Sequence, residues 1–328
     1  MSGVKTAQIA RPYFFEVFTI ANFLILLFAL RNVTSKPFWT LGPLVLTIAL
    51  GVVLQTVIGV AIRLAFAAFR GTAKELLATY RSGAWLTDTL RLAIGGGLWT
   101  HTYGWIKLAT PILHPHLYDQ QLWNLDRTIC FGYQPSFFVL SLFSAPAVMR
   151  LVDWTYAYVF FASVNIASIF FASSPDRRLR IAFMNSNALL WLTGAWLYVV
   201  VPSLGPAYRF PEVWVPLAGW LDRTQTFQRL LMSNYRNVLS SLRGAQRPVN
   251  ILFGIGAFPS LHVGFQMLAF LWLRRVTKWG GPVFLIFVFF IAIGSLVTGW
   301  HYLIDGLAGA ALAWACYAAA QRVPAIQA

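Results

Sequence analysis

Charged side chains are scarce in this 328-residue chain. They make up 11% of it, against 58% hydrophobic residues and a mean hydropathy of +0.65. A soluble domain carries about 25% charged residues. The shortage excludes an ordinary soluble globular protein and indicates a polytopic membrane protein, whose apolar surface faces lipid. The 27 Phe and 14 Trp fit lipid-facing and interfacial positions.

Cysteine and histidine are also few. Cys130 and Cys316 lie far apart and form no CxxC or Cys/His pattern. Among the five histidines, His114 and His116 stand two positions apart without a nearby cysteine or carboxylate pair, which favours interfacial polar side chains over metal ligands. We therefore expect no metal and no cofactor.

Acidic residues number only 10 against 25 basic ones, so the net charge is +15. The basic residues stand mainly in loops between apolar runs, where membrane topology and anionic headgroups favour them. This distribution predicts the membrane as partner and argues against nucleic acid.

A membrane helix needs about 20 mostly apolar residues, and the sequence predicts an all-α integral membrane fold with about eight such helices. Their approximate bounds are Tyr13–Leu30, Trp39–Phe66, Leu86–Leu108, Val148–Ala172, Ile181–Val201, Ser260–Leu273, Pro282–Gly299 and His301–Ala320. The third contains the charged residues Asp88, Arg91 and Lys107. In the fourth, Asp153 and Tyr156 are expected to form an internal hydrogen-bonded pair.

Clusters of Lys and Arg at the N-terminus and after the second, fourth and sixth helices fall on one side of an eight-helix bundle. The positive-inside rule makes that side cytoplasmic, together with both termini. The predicted parts are helices 1–3 (1–112), an outer segment (113–147) and a core of helices 4–8 (148–328) with a long outer loop (202–259). Within that loop, TFQRLLMSNYRNVLSSLRG has the apolar spacing of an amphipathic helix at the interface.

Two of the histidines point to chemistry. His301 and Asp305 are four residues apart at the outer end of the eighth helix, and His262 begins the sixth at the same face. A carboxylate at this spacing can fix the tautomer of an imidazole and raise its basicity. A polar pair that only stabilises the bundle is the alternative, but an ionisable residue within a membrane span favours function.

The segment Pro259-Ser260-Leu261-His262, followed by His301-x-x-x-Asp305, resembles the P-S-x-H and H-x3-D motifs of the type 2 phosphatidic acid phosphatase (PAP2) superfamily. The resemblance implies a PAP2-like helix bundle and metal-free phosphoryl transfer. His301 would form a phosphohistidine, Asp305 would orient it and His262 would protonate the leaving oxygen. Ser260 and nearby backbone amides, such as that of Gly264, would bind the phosphate.

Two family features are missing. The fuller third motif, S-R-x5-H-x3-D, has Ser295 at its arginine position, and the first motif, K-x6-R-P, finds Arg247-Pro248 but Ser240 in place of the lysine. Because a phosphodiester carries less charge than a phosphomonoester, the loss of two cations favours a diester substrate unless other cations replace them. The candidate replacements are Arg209, Arg243 and Arg247.

The H-Y-x-x-D form of the third motif is similar to that of the inositol phosphorylceramide synthase-like branch, as is the spacing Asp119-x-x-Leu122-x-x-x-Asp126 upstream. The sequence therefore predicts transfer of a phospho-headgroup from a lipid-linked phosphate to a lipid alcohol, outside a bacterial inner membrane. A lipid-phosphate phosphatase that uses water as the acceptor is the alternative. An inactive lipid-binding or transport protein is a second one.

Overall fold

The structure is a computed structural model that describes residues 11–32, 42–242, 245 and 247–323. Within them the chain forms helices and no β-strand, which confirms the all-α class. The helices are α1 (Phe14–Ala29), α2 (Gly42–Phe69), α3 (Ala73–Arg81), α4 (Gly83–Leu113), α5 (Asp119–Ile129), α6 (Pro135–Leu142), α7 (Pro146–Ala172), α8 (Arg177–Val200), α9 (Pro206–Arg209), α10 (Pro211–Trp214), α11 (Asp222–Leu242), α12 (Leu261–Val276), α13 (Gly280–Val297) and α14 (Leu303–Arg322). Trp39 and Arg243 lie outside the described residues.

Four of the described helices are long and apolar enough to cross a membrane, judged by length and composition. They are α2, α7, α13 and α14, which correspond to the second, fourth, seventh and eighth predicted spans. Helices α1 and α12 are shorter, at 16 residues each. Helices α4 and α8 have 31 and 24 residues but are more polar, and they bury much of their surface against other helices.

The core lies where α12 packs between α8, α13 and α14. Its largest buried side chains include Phe265 and Trp272 of α12 and Phe284 of α13. Helices α12 and α14 approach each other closely at Gly264 and Gly309, where no side chain intervenes. This contact joins the two helices that carry the predicted catalytic residues.

A covering layer made of α11 and the short helices α5, α6, α9 and α10 lies over the bundle end at which α12 and α14 begin. Hydrogen bonds tie this covering layer to the end of α13 and to the turn that follows it. Trp214 Nε1 donates to the Val297 carbonyl at 3.0 Å, and Gln228 Nε2 donates to the Thr298 carbonyl at 3.0 Å. The predicted amphipathic helix is present as α11.

The predicted pairing of Asp153 with Tyr156 is wrong. The Asp153 carboxylate accepts from the backbone N–H groups of Arg223 and Thr224, at 3.0 and 2.8 Å, and so caps the first turn of α11. These unpaired helix N–H groups are strong donors to a buried carboxylate. The Tyr156 hydroxyl lies instead near His262.

At the opposite end of the bundle, a polar cluster explains the charges in the third predicted span. Asp88 of α4 accepts from the Tyr13 hydroxyl and from Arg177 Nε, the latter at 2.6 Å. Arg91 Nε donates to Glu16 Oε1 at 2.7 Å. Asp88 and Arg91 of α4 are thus paired with charged groups of α8 and α1 rather than exposed to lipid.

Candidate functional site

The turn between α13 and α14 carries His301. Helix α14 begins at Leu303, so His301 precedes the helix rather than lying on its face as predicted. Gly299 makes this turn with φ +72°, and a Cβ there would lie 2.8 Å from Ala207 Cβ of the covering layer. Only glycine fits both the backbone angle and the space. The approach of the covering layer therefore sets the path of the chain into His301.

His301 is 4% exposed, and its two ring nitrogens have different neighbours. Nδ1 lies 2.9 Å from the Ala257 carbonyl oxygen and 3.4 Å from Asp305 Oδ2. Both neighbours are acceptors, so the hydrogen-bond network assigns the proton to Nδ1 and leaves a lone pair on Nε2. Burial lowers the pKa of His301 to about 3, and the bond to Ala257 opposes this effect. The imidazole is therefore neutral.

His262 stands in the first turn of α12 and faces His301. Its Nδ1 lies 3.2 Å from His301 Nε2 and 3.5 Å from the Tyr156 hydroxyl. Because His301 Nε2 has no proton, His262 Nδ1 must be the donor of the contact between the rings. The Phe160 ring packs edge-on against His262, with centroids 4.4 Å apart. The structure thus brings the two predicted histidines together.

Asp305 lies beneath His301, with no exposed surface. Its Oδ2 accepts from the Tyr302 backbone N–H at 2.9 Å, as the N3 residue of a capping box. A second carboxylate meets the same helix end, because Asp126 of α5 accepts from the N–H groups of Leu303 and Ile304 at 2.8 and 2.9 Å. Burial raises the pKa of Asp126 to about 6, the two N–H bonds lower it, and the charge of Asp305 raises it.

The predicted phosphate-binding residues Ser260 and Gly264 form hydrogen bonds within the first turn of α12. Ser260 is the N-cap, and its Oγ accepts from the Val263 N–H at 3.4 Å. The Gly264 N–H donates to the Ser260 carbonyl at 2.9 Å, and the Gly264 Cα faces Gly309. The Gly264 amide is therefore engaged within α12. The helix start itself, next to His262, is the place where an anion is favoured.

The predicted Arg209 and Arg247 lie on the surface. Arg209 is exposed, its guanidinium lies 5.4 Å from the Phe210 ring centroid, and its charge acts on Asp119. Arg247 is exposed as well.

Lys107 of α4 is a cation near the histidines that the predictions overlooked. Its charge acts on both His262 and His301, and its Nζ lies 5.3 Å from the centroid of the Tyr198 ring. The signal was present in the sequence, since Lys107 is followed after six residues by His114-Pro115. That is the K-x6-R-P pattern with histidine in place of arginine.

Among the described residues, no three His, Cys, Asp or Glu side chains come together as metal ligands. His114 Nδ1 lies 2.8 Å from the Val199 carbonyl, and its ring stacks with that of His116 at a centroid distance of 6.4 Å. Cys130 and Cys316 are both free thiols.

These features define a helical membrane protein with two histidines and a carboxylate in contact at one end of the bundle. Residues 120–319 match the family model of the PAP2 superfamily, well over half of the chain, so the protein belongs to this superfamily. Its members are lipid phosphatases or phosphotransferases, and the protein is accordingly an enzyme acting on lipid phosphates. No curated protein and no solved structure matches the chain significantly.

Proposed function

We propose that the protein transfers a phospho-headgroup from a lipid donor to a lipid alcohol through a phosphohistidine on His301. The observation that carries the proposal is the environment of the His301 ring. Nδ1–H is held by the Ala257 carbonyl and Asp305, while Nε2 carries a lone pair and faces His262. A fixed neutral imidazole with one free nitrogen has the properties of a nucleophile, and its neighbour those of an acid.

In the first half-reaction, His301 Nε2 attacks phosphorus and the phosphorus–oxygen bond to the leaving group breaks. His262, protonated on both ring nitrogens when the phosphate anion is bound, gives its Nδ1 proton to the departing oxygen and is left as a neutral imidazole. In the second, His262 takes a proton from the acceptor hydroxyl, whose oxygen attacks the phosphohistidine and frees Nε2. Asp305 stabilises the positive charge that develops on the His301 ring.

The two histidine rings are in contact with each other, which is an arrangement for the site without substrate. A reacting atom sits about 3–3.5 Å from its nucleophile, and phosphorus with its oxygens does not fit into the 3.2 Å between Nδ1 and Nε2. The two rings must therefore move apart when the phosphate enters. Lys107 and the N-terminus of α12 would then balance the phosphate charge.

The membrane arrangement belongs to the same proposal. Eight helices, α1, α2, α4, α7, α8, α12, α13 and α14, would cross a bacterial inner membrane, with both termini cytoplasmic and the histidines at the outer face. The more polar α4 and α8 would be shielded from lipid by their neighbours. The covering layer would lie at the outer interface.

A phosphatase is the second candidate, and Lys107 is the observation in its favour. One cation beside the histidines, in a lysine position spaced as in the K-x6-R-P motif, partly restores the positive charge that a phosphomonoester needs. Arg209 and Arg247 remain proposals as further phosphate contacts. Both side chains are exposed.

The test uses purified protein with two short-chain lipids labelled in the phosphate, a phosphatidic acid and a phosphatidylinositol, each with and without a diacylglycerol or ceramide acceptor. A labelled acceptor lipid supports the transferase, whereas inorganic phosphate alone under all conditions refutes it. Acid-labile phosphate should appear on the wild type and on His116→Ala, an exposed control histidine, but not on His301→Ala. Label that persists in His301→Ala would exclude His301 as the nucleophile. A wild type that binds the lipids but neither turns them over nor acquires covalent label would favour the inactive lipid-binding or transport protein.

A further inference from the structure

Helix α5 has no part in the chemistry proposed above, yet it carries two fully buried aspartates that point toward the catalytic turn. Asp119 and Asp126 are 1% and 0% exposed and stand seven residues apart, which places them on one face of the helix. Each meets several donors from other segments. Buried carboxylates are costly, and satisfied ones fix the groups that satisfy them.

Asp126 reaches His301 through α14. Its two oxygens hold the first two N–H groups of that helix, those of Leu303 and Ile304. The same helix turn contains Asp305, whose Oδ2 lies 3.4 Å from His301 Nδ1. A shift of the α14 start would therefore move the carboxylate that faces the imidazole.

Asp119 reaches His301 by a second route. It accepts from the N–H groups of Leu204 and Gly205 at 3.1 and 2.9 Å. The neighbouring Ser203 carbonyl accepts from the Ala257 N–H at 3.0 Å. The Ala257 carbonyl is the closer acceptor of His301 Nδ1. Asp119 therefore holds the segment that orients the other partner of the ring.

The two routes are joined by Tyr302, which follows His301 in the chain. Its hydroxyl donates to Asp119 Oδ1 at 2.8 Å, and its backbone N–H donates to Asp305. We propose that Asp119 and Asp126 make α5 a positioning clamp, which fixes the tautomer and direction of the His301 ring through Ala257 and Asp305. The inference rests on the proposed role of His301.

A matched control exists elsewhere in the chain. Asp153 is also buried and also caps a helix with two backbone bonds, those to Arg223 and Thr224 of α11. That helix carries no catalytic residue and meets the catalytic turn through Gln228, which bonds the Thr298 carbonyl rather than a partner of the His301 ring. Asp126→Asn and Asp153→Asn should therefore lower thermal stability to a similar extent, while only Asp126→Asn should disturb His301.

The first measurement is turnover of the two labelled lipids, below the melting temperature of each variant. Asp126→Asn and Asp119→Asn are expected to lower kcat by about 10- to 100-fold with KM within about threefold, and Asp153→Asn to lower kcat less than about threefold. Asp126→Glu, which keeps the carboxylate, should recover part of kcat. Equal losses of kcat in Asp126→Asn and Asp153→Asn would overturn the clamp.

The second measurement does not depend on turnover. In protein labelled with ¹⁵N-histidine, the His301 resonances, assigned by their loss in His301→Gln, should report a proton fixed on Nδ1. Asp126→Asn should average the two tautomers and Asp153→Asn should not. If Asp126→Asn does not fold, Tyr302→Phe, which removes only the hydroxyl bond to Asp119, is the variant measured. An unchanged His301 signal in a folded clamp variant refutes the inference, and an inactive wild type with the expected signals refutes the proposed function alone.

Discussion

Replacing Gly309 with alanine should inactivate the enzyme, although the residue is more than one helical turn from Asp305. A Cβ at Gly309 would lie 3.0 Å from the Ser260 carbonyl carbon and 3.4 Å from the Gly264 nitrogen, and closer still to the Ser260 oxygen. All three are backbone atoms, which no rotamer change can move away. Helices α12 and α14 would have to separate on the order of 1 Å to restore contact distances.

The control is Gly306→Ala in the same helix. A Cβ at Gly306 meets Val263 Cγ2 at 3.7 Å, an ordinary contact. Both substitutions improve helix propensity by about 1 kcal/mol, but only that at Gly309 adds an overpacking cost of about 1–3 kcal/mol. Gly306→Ala should thus be as stable as the wild type or slightly more so, and Gly309→Ala about equal or less stable.

Gly309→Ala and Gly306→Ala should differ more in activity than in stability. Ser260 caps α12 two residues before His262, and α14 carries Asp305, so a separation of the helices displaces both sides of the site. A misplacement of about 1 Å costs about 100-fold in rate. The assay is phosphate transfer or release from the labelled lipids, with melting temperature measured in the same detergent. A Gly309→Ala enzyme within about threefold of the wild type would refute the close packing of α12 on α14.

Three further predictions concern single groups. Lys107→Met should lower kcat/KM by about 100-fold with little change in melting temperature, and Lys107→Arg should retain much of the activity. If Arg209→Gln lowers kcat/KM by about 100-fold and Lys107→Met does not lower it, the cation that binds the phosphate is Arg209 instead. Burial raises the pKa of Asp126 from an ordinary 3.8 to about 6, so the wild type loses stability as pH rises from about 4 to 6. The melting temperature of Asp126→Asn relative to the wild type should therefore rise by a few degrees across this window. The opposite trend would mean that the N–H groups of α14 lower the pKa of Asp126 more than burial raises it. Tyr156→Phe keeps the ring but removes the hydroxyl 3.5 Å from His262 Nδ1, so turnover should fall by less than about tenfold, and complete inactivity would give Tyr156 a direct role in proton transfer.

The sequence was sufficient to predict the features that depend on local composition and on short motifs. Helix length and apolar composition predicted α2, α7, α13 and α14, and the motifs selected His262, His301 and Asp305, which the structure brings into contact. It was not sufficient for the start of α14. The capping residue there is Tyr302, which is not one of the usual N-cap residues, so nothing in the local pattern separated His301 from the helix.

Contacts between distant segments that no motif joins could not be predicted. Asp126 binds the N–H of a residue 177 positions away, and Asp153 that of one 70 positions away. A backbone N–H has no sequence signature, so a carboxylate that caps another helix looks like any other acidic residue. Lys107 was missed for a different reason, because the motif search required arginine, whereas Lys107 is followed at the same spacing by His114-Pro115.

The scarcity of acidic residues has a structural meaning. Carboxylates are expensive in an apolar bundle unless backbone N–H groups meet them, and helix starts supply such groups. Asp176 caps α8, Asp153 caps α11, and Asp126 with Asp305 caps α14. Two of these carboxylates, Asp126 and Asp305, meet the start of the helix that follows His301. The start of α14, next to His301, thus receives two carboxylates, whereas the starts of α8 and α11 receive one each.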